Sequence, residues 1–162
     1  MFEKIKLKII FYIYKVSQQP VKLHELLSAN QLFQEGMKLD GSKLGFRLKL
    51  GRAYVVFLIL AHIIIIPIAL LSHTFFRVLD CHASIIIAIF FTALLFGMFS
   101  FFKDWTRDCV TKQRIKQMWS LHFPHFPFDE YSKEVANIYA KSIEDEVKQS
   151  NLERYILDKL SQ

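Results

Sequence analysis

Charged residues are spread along most of this chain but are missing from two stretches. Ala53 to Leu71 has no charge and one strongly polar side chain, His62, and Ala83 to Phe102 has no charge at all. Each stretch approaches the ~20 residues that a helix rising ~1.5 Å per residue needs to cross a ~30 Å hydrocarbon core. The competing reading is a pair of buried helices in a soluble protein. It fails on coverage, because the remaining residues are rich in Lys, Glu and Gln and too few to enclose both stretches. The pattern therefore predicts an all-α integral membrane protein, a two-span transmembrane helical hairpin with amphipathic cytoplasmic helices at both ends. Its parts are a basic N-terminal region (1–52), a first span (53–72), a short exterior loop (73–82), a second span (83–102) and a helical tail (103–162).

The flanks show weaker periodicities. Phe2, Ile5, Ile9, Tyr12 or Ile13, and Val16 recur at helical spacing, with Lys4, Lys8 and Lys15 mostly off that line. This fits either a helix lying in the membrane interface or a core helix of a small cytoplasmic domain. Lys4, Lys6 and Lys8 ahead of Ile9 to Tyr14 imitate a secretory signal, but the apolar run is short and no small-residue cleavage site follows. Pro20 interrupts, and an amphipathic piece from Val21 to about Met37 is expected to end at the Asp40-Gly41-Ser42 turn. From Lys43 to Gly51 the alternation of Leu44, Phe46, Leu48 and Leu50 with Lys43, Arg47 and Lys49 has the period of a strand. Bracketed by glycines and without an evident partner, it reads as an irregular basic approach to the membrane.

Beyond the second span, Ile115, Met118, Trp119 and His122 continue a helical stripe, which the doubled His-Phe-Pro of residues 122–127 must stop. Asp129 is placed to cap a further helix carrying Tyr131, Val135, Ile138, Tyr139, Ile143 and Val147. Ser150 with Glu153 has capping-box spacing before Leu152, Tyr155, Ile156 and Leu160. These faces either pack on one another as a small bundle or bind other proteins. Ile115, Met118, Trp119, Val135, Ile138, Tyr139, Leu152 and Ile156 are the candidate partner-binding residues.

Charge orients the hairpin. Of 21 Lys and Arg residues, ten precede Ala53, one (Arg77) lies in the loop and ten follow Phe102. Positive flanks stay cytoplasmic, so both termini are expected on the cytoplasmic side of a bacterial inner membrane. Tyr54, Phe75, Phe76 and Trp105 suit the two interfaces. The sequence pI of about 9.3 would otherwise invite a nucleic-acid partner, but the cations crowd the span ends. Lys43, Arg47, Lys49, Arg52, Lys103, Arg107, Lys112, Arg114 and Lys116 are read as lipid-headgroup contacts, each worth about 1 kcal/mol near an anionic leaflet. Cys81 and Cys109 fall on opposite sides, which leaves no disulfide framework.

His62 is the most informative polar residue, because an ionisable group at mid-span is costly and usually faces protein or a cavity. Pro67 adds to it by withholding the usual donor from the Ile63 carbonyl. His62 could serve as a haem ligand, a proton-path step or a lipid or quinone contact, or it could be a neutral imidazole bonded to a neighbouring helix. The second span offers no opposite ligand, so a haem would need a second copy or a partner subunit. In the loop, His73, Asp80, Cys81 and His82 are possible metal ligands without a recognisable metal-site spacing. Cys109 with His122 and His125 is weaker still. Ser84, Ala88, Thr92 and Ser100 share one line of the second span, with Ala93 and Gly97 beside it, and such small residues let helix backbones approach. Glu144, Asp145 and Glu146 read as a solvated face.

No phosphate loop, carboxylate pair or activated nucleophile is evident, and no motif points to a known family. The sequence favours a non-catalytic subunit, without a cofactor, that assembles an inner-membrane complex with other subunits or copies of itself. The rival is a redox or proton-transfer component using His62. A third class is an enzyme acting on lipid headgroups through His73, Asp80 and His82.

Overall fold

The structure, a computed structural model, describes the backbone of residues 2–76 and 81–161 and the side chains of residues 3–71, 83 and 85–161. Among the described residues six α-helices dominate: α1 (Phe2–Ile13), α2 (Leu23–Gln34), α3 (Leu50–Phe76), α4 (Cys81–His122), α5 (Phe128–Glu144) and α6 (Leu152–Leu160), with a 3₁₀ turn at Gln149–Asn151 before α6. Two three-residue strands, β1 (Tyr14–Val16) and β2 (Phe46–Leu48), form a two-stranded sheet. The chain divides into two compact units: residues 1–14 with 48–107, and residues 15–47 with 108–162.

The first unit holds the two uncharged stretches. α3 has 27 residues, and the apolar part of α4 opens a helix of 42. Both are long and apolar enough to cross a membrane. Their large side chains are mostly exposed, Leu71 at 85% and Phe101 at 79%. They meet through an aromatic cluster in which the Phe57 ring lies 5.2 Å from Phe99 and 5.5 Å from Phe102, and Tyr54 meets Phe99 edge-on at 5.4 Å. α1 packs on α3, and Ile10 and Ile13 of α1 are buried, as are Ala53 and Phe57 of α3. Of the expected periodic line, Ile13 is buried while Ile5 and Tyr12 are exposed, and the buried Ile10 lies outside it.

The second unit is a helical bundle in which α5 packs on both α2 and α6. Leu26, Leu27 and Ala29 of α2, Val135, Ala136 and Tyr139 of α5, and Leu152 and Ile156 at α6 are buried, as are Ile115, Met118 and Trp119 of α4. The His-Phe-Pro pair does end α4, at His122. Trp119 pins the corner: its Nε1 donates to the Phe126 carbonyl at 2.7 Å, and its ring lies 4.8 Å from Phe123 and 5.4 Å from Phe128.

Three local expectations are corrected. α2 stops at Gln34, ahead of the Asp40-Gly41-Ser42 turn, because Gly36 takes φ +70° and the Met37 and Gly36 amides close back on the Leu32 and Phe33 carbonyls. Within the Lys43 to Gly51 alternation, Phe46–Leu48 does form a strand, β2, whose partner β1 lies hidden at the end of a helical run. Gly41 is needed beside it, since a Cβ there would come within 2.4 Å of the Phe46 ring. Neither α5 nor α6 carries a side-chain N-cap bond. Asp129 instead pairs with Lys116, and the Ser150 hydroxyl is turned toward Asn151 Oδ1 at 3.4 Å.

Candidate functional site

The polar groups of the apolar helices form the candidate site. On α3, His62 is exposed and its Nδ1 lies 2.7 Å from the Leu58 carbonyl of its own helix. A carbonyl only accepts, so Nδ1 is the donor in this bond, and Nε2 makes no hydrogen bond among the described residues. An open groove runs past His62 from Val55 and Ile59 to Ile66 and Pro67. Thus the histidine bonds within its own helix rather than to a neighbouring one. Pro67 lies inside α3 four residues beyond Ile63, whose carbonyl receives no N–H from it.

On α4, Ala88, Thr92, Ala93 and Gly97 are exposed, and the Thr92 hydroxyl donates to the Ala88 carbonyl at 2.8 Å. Ser100 is also exposed. A Cβ placed on Gly97 would meet nothing within 4 Å. The small-residue line therefore does not serve contact with α3, and the helix backbone there is open. A shallow apolar groove lined by Ala88, Thr92, Ala93 and Phe96 marks the same face. The side chains of His73, Cys81, His82 and Ser84, and all of Arg77 and Asp80, lie outside the described residues. Cys81 and Cys109 share α4 and are about 42 Å apart along it, which rules out a bond between them within one chain.

Where the apolar helices turn polar, cations sit on aromatic rings. Arg52 lies 4.8 Å from the Tyr12 ring centroid, Lys6 5.7 Å from Trp105 and Lys103 5.4 Å from Phe99. Arg107 pairs with Asp104 at 3.1 Å. Of the expected headgroup cations, Lys49, Arg52, Lys103 and Arg107 belong to this unit, and Lys43, Arg47, Lys112 and Lys116 are exposed residues of the other.

Arg114 differs from the rest. It is 4% exposed, and its guanidinium donates to the carbonyls of Leu44 (3.1 Å), Ser17 (2.8 Å) and Gln19 (2.8 Å) and to Gln117 Oε1 (3.2 Å). Burial lowers its pKa from the usual arginine value. Arg114 thus fastens the turn before β2 to the segment after β1 and is buried in the bundle rather than exposed as a headgroup contact would be.

The expected partner-binding residues are also corrected. Ile115, Met118, Trp119, Val135, Tyr139, Leu152 and Ile156 are buried in the bundle, and Ile138 is half-buried. Tyr139 has a raised pKa, chiefly through that burial. Cys109 is half-buried, His122 Nε2 donates to the Val21 carbonyl at 2.9 Å, and His125 is exposed. Among the described residues, no group of three or more His, Cys, Asp or Glu side chains could hold a metal ion.

Comparison with protein-family models, curated proteins and solved structures gives no match.

Two structural residues were within reach of the sequence. Arg114 stands four residues from both Val110 and Met118, on the buried line of its helix, and Asn30 follows Leu26 and Leu27 on the buried face of α2. A polar residue on an apolar helical line is the signal of an internal hydrogen bond.

Proposed function

We propose that the chain crosses a bacterial inner membrane twice as a hairpin, with both termini and the helical bundle in the cytoplasm. It acts there as a non-catalytic subunit that scaffolds or assembles a larger membrane complex, a transporter, secretion system or motor. The observation that carries this is the open backbone at Gly97 beside Ala93 and Thr92. Helices in lipid associate by close packing at small residues, and this face has no partner among the described residues. The bundle buries its own apolar faces, so contact with other subunits, or with further copies of the chain, falls to the spans.

Purification of the full chain in mild detergent tests the reading. Stoichiometric partners or a defined oligomer are expected, and Gly97→Leu should release them. A monodisperse monomer without partners would overturn it. Orientation has a separate test. A membrane-impermeant thiol reagent on intact cells or spheroplasts should label Cys81 and spare Cys109, and the reverse would invert the topology.

A second reading has one observation in its favour, the exposed His62 on an open groove, with no hydrogen bond at Nε2 among the described residues. That geometry suits a hydroxyl donor such as a quinol, or a haem iron shared with a partner subunit. A Soret band lost in His62→Ala would move this reading ahead of the first.

A further inference from the structure

Resting on the reading of α3 and α4 as membrane spans, we propose that α1 lies in the plane of the membrane and that its outer face, together with Arg52, binds anionic phospholipid headgroups. The orientation follows from where α1 touches α4. Lys6 Nζ sits 5.7 Å from the centre of the Trp105 ring, and the Tyr14 hydroxyl, at the end of the helix, lies 3.3 Å from Thr106 Oγ1. Both contacts fall on adjacent residues just past the apolar stretch of α4, so α1 reaches α4 at the end of that stretch. It meets α3 at the corresponding end: Arg52 lies over the Tyr12 ring and donates from Nη1 to the Tyr12 carbonyl at 3.4 Å, and the Lys49 amide donates to the Ile13 carbonyl at 2.9 Å.

With Ile10 and Ile13 turned inward at 1% and 0% exposure, the opposite arc of α1 is free. At about 100° per residue, Lys4 and Lys8 occupy its centre, with Phe11 on one side and Tyr12 and Ile5 on the other. All five are exposed. Cations flanked by apolar and aromatic side chains suit the membrane boundary, where stems and rings enter the acyl edge and ammonium groups reach phosphate. Glu3, the acidic residue of this helix, faces Lys6 at 3.8 Å, and neither Lys4 nor Lys8 has an ion-pair partner among the described residues. The arc is thus complementary to an anionic leaflet.

The test uses the full chain carrying Cys81→Ser and Cys109→Ser, with a nitroxide on Phe11→Cys or, for reference, on Ile64→Cys or Phe90→Cys. It is reconstituted in phosphatidylcholine vesicles with or without phosphatidylglycerol. The reference labels should be accessible to oxygen and shielded from a water-soluble nickel chelate, while the Phe11→Cys label should read headgroup depth. Reference labels in water would overturn the span reading itself. Reference labels in hydrocarbon with the Phe11→Cys label fully in water would overturn this inference alone. In the unlabelled protein, spin-labelled phosphatidylglycerol should be held in preference to phosphatidylcholine, and Lys4→Gln with Lys8→Gln should cut that preference by up to about fivefold per lysine. An unchanged preference would remove the headgroup assignment.

Discussion

Arg114 Nε donates to the Leu44 carbonyl across 70 positions of sequence, at 3.1 Å. The same guanidinium holds the Ser17 and Gln19 carbonyls at 2.8 Å, so one side chain fixes the turn before β2 and the segment after β1. Arg114→Ala leaves these acceptors without their donor and should cost about 3 kcal/mol or more in stability. Lysine keeps the charge without the planar fork and should recover only part of that. Denaturant unfolding of the detergent-solubilised chain, followed by circular dichroism, checks both.

Glu146 closes α5 at φ +52°, where its amide returns to the Ile143 carbonyl and that of Val147 to the Ser142 carbonyl. A side chain costs energy in this left-handed conformation that glycine avoids. Glu146→Gly should therefore raise stability by about 1 kcal/mol in the same measurement.

Trp119 and Ile156 separate a self-contained bundle from a docking surface. They are 2% and 0% exposed. Trp119→Ala should cost about 3–5 kcal/mol and Ile156→Ala about 2–5 kcal/mol in the purified chain with no other protein present. Unchanged midpoints would mean that these side chains find their partners elsewhere.

The Lys116 bond holds the Asp129 carboxyl below its ordinary value of 3.8. A depressed carboxylate contributes stability that is present above the unfolded pKa and lost as pH falls through the folded one. The stability difference between the wild type and Asp129→Asn should therefore be constant at neutral pH and close up below the ordinary carboxylate range. A difference that persists in acid would assign the effect to something other than charge.

How much of this was readable depended on whether the deciding contact was local. The apolar helices were legible because an uncharged run of span length announces itself without reference to any partner. The end of α4 was legible because proline acts on its own neighbours. The inward face of α1 was legible only in part, because periodicity offered Ile13 as an alternative to Tyr12 but included the exposed Ile5 and passed over the buried Ile10. β2 failed for a related reason: its alternation was visible, but Tyr14 to Val16 carries no strand signal until Phe46 to Leu48 lies beside it. Within the candidate site, the position of His62 and the small residues of α4 were in the sequence. The bond from its Nδ1 to the Leu58 carbonyl and the open space at Gly97 were not.

The bundle draws on two segments, 15–47 and 108–162, that flank both apolar helices in the chain. During synthesis α2 leaves the ribosome long before α5, to which the Asn30 side chain is joined through the Ser132 carbonyl at 2.7 Å. Between the two events the whole of α3 and the apolar part of α4 must be made. Completion of the bundle is thus a late step of biogenesis, and a chain stalled between the two apolar helices leaves α2 with its leucines uncovered, a form that quality-control proteases can recognise.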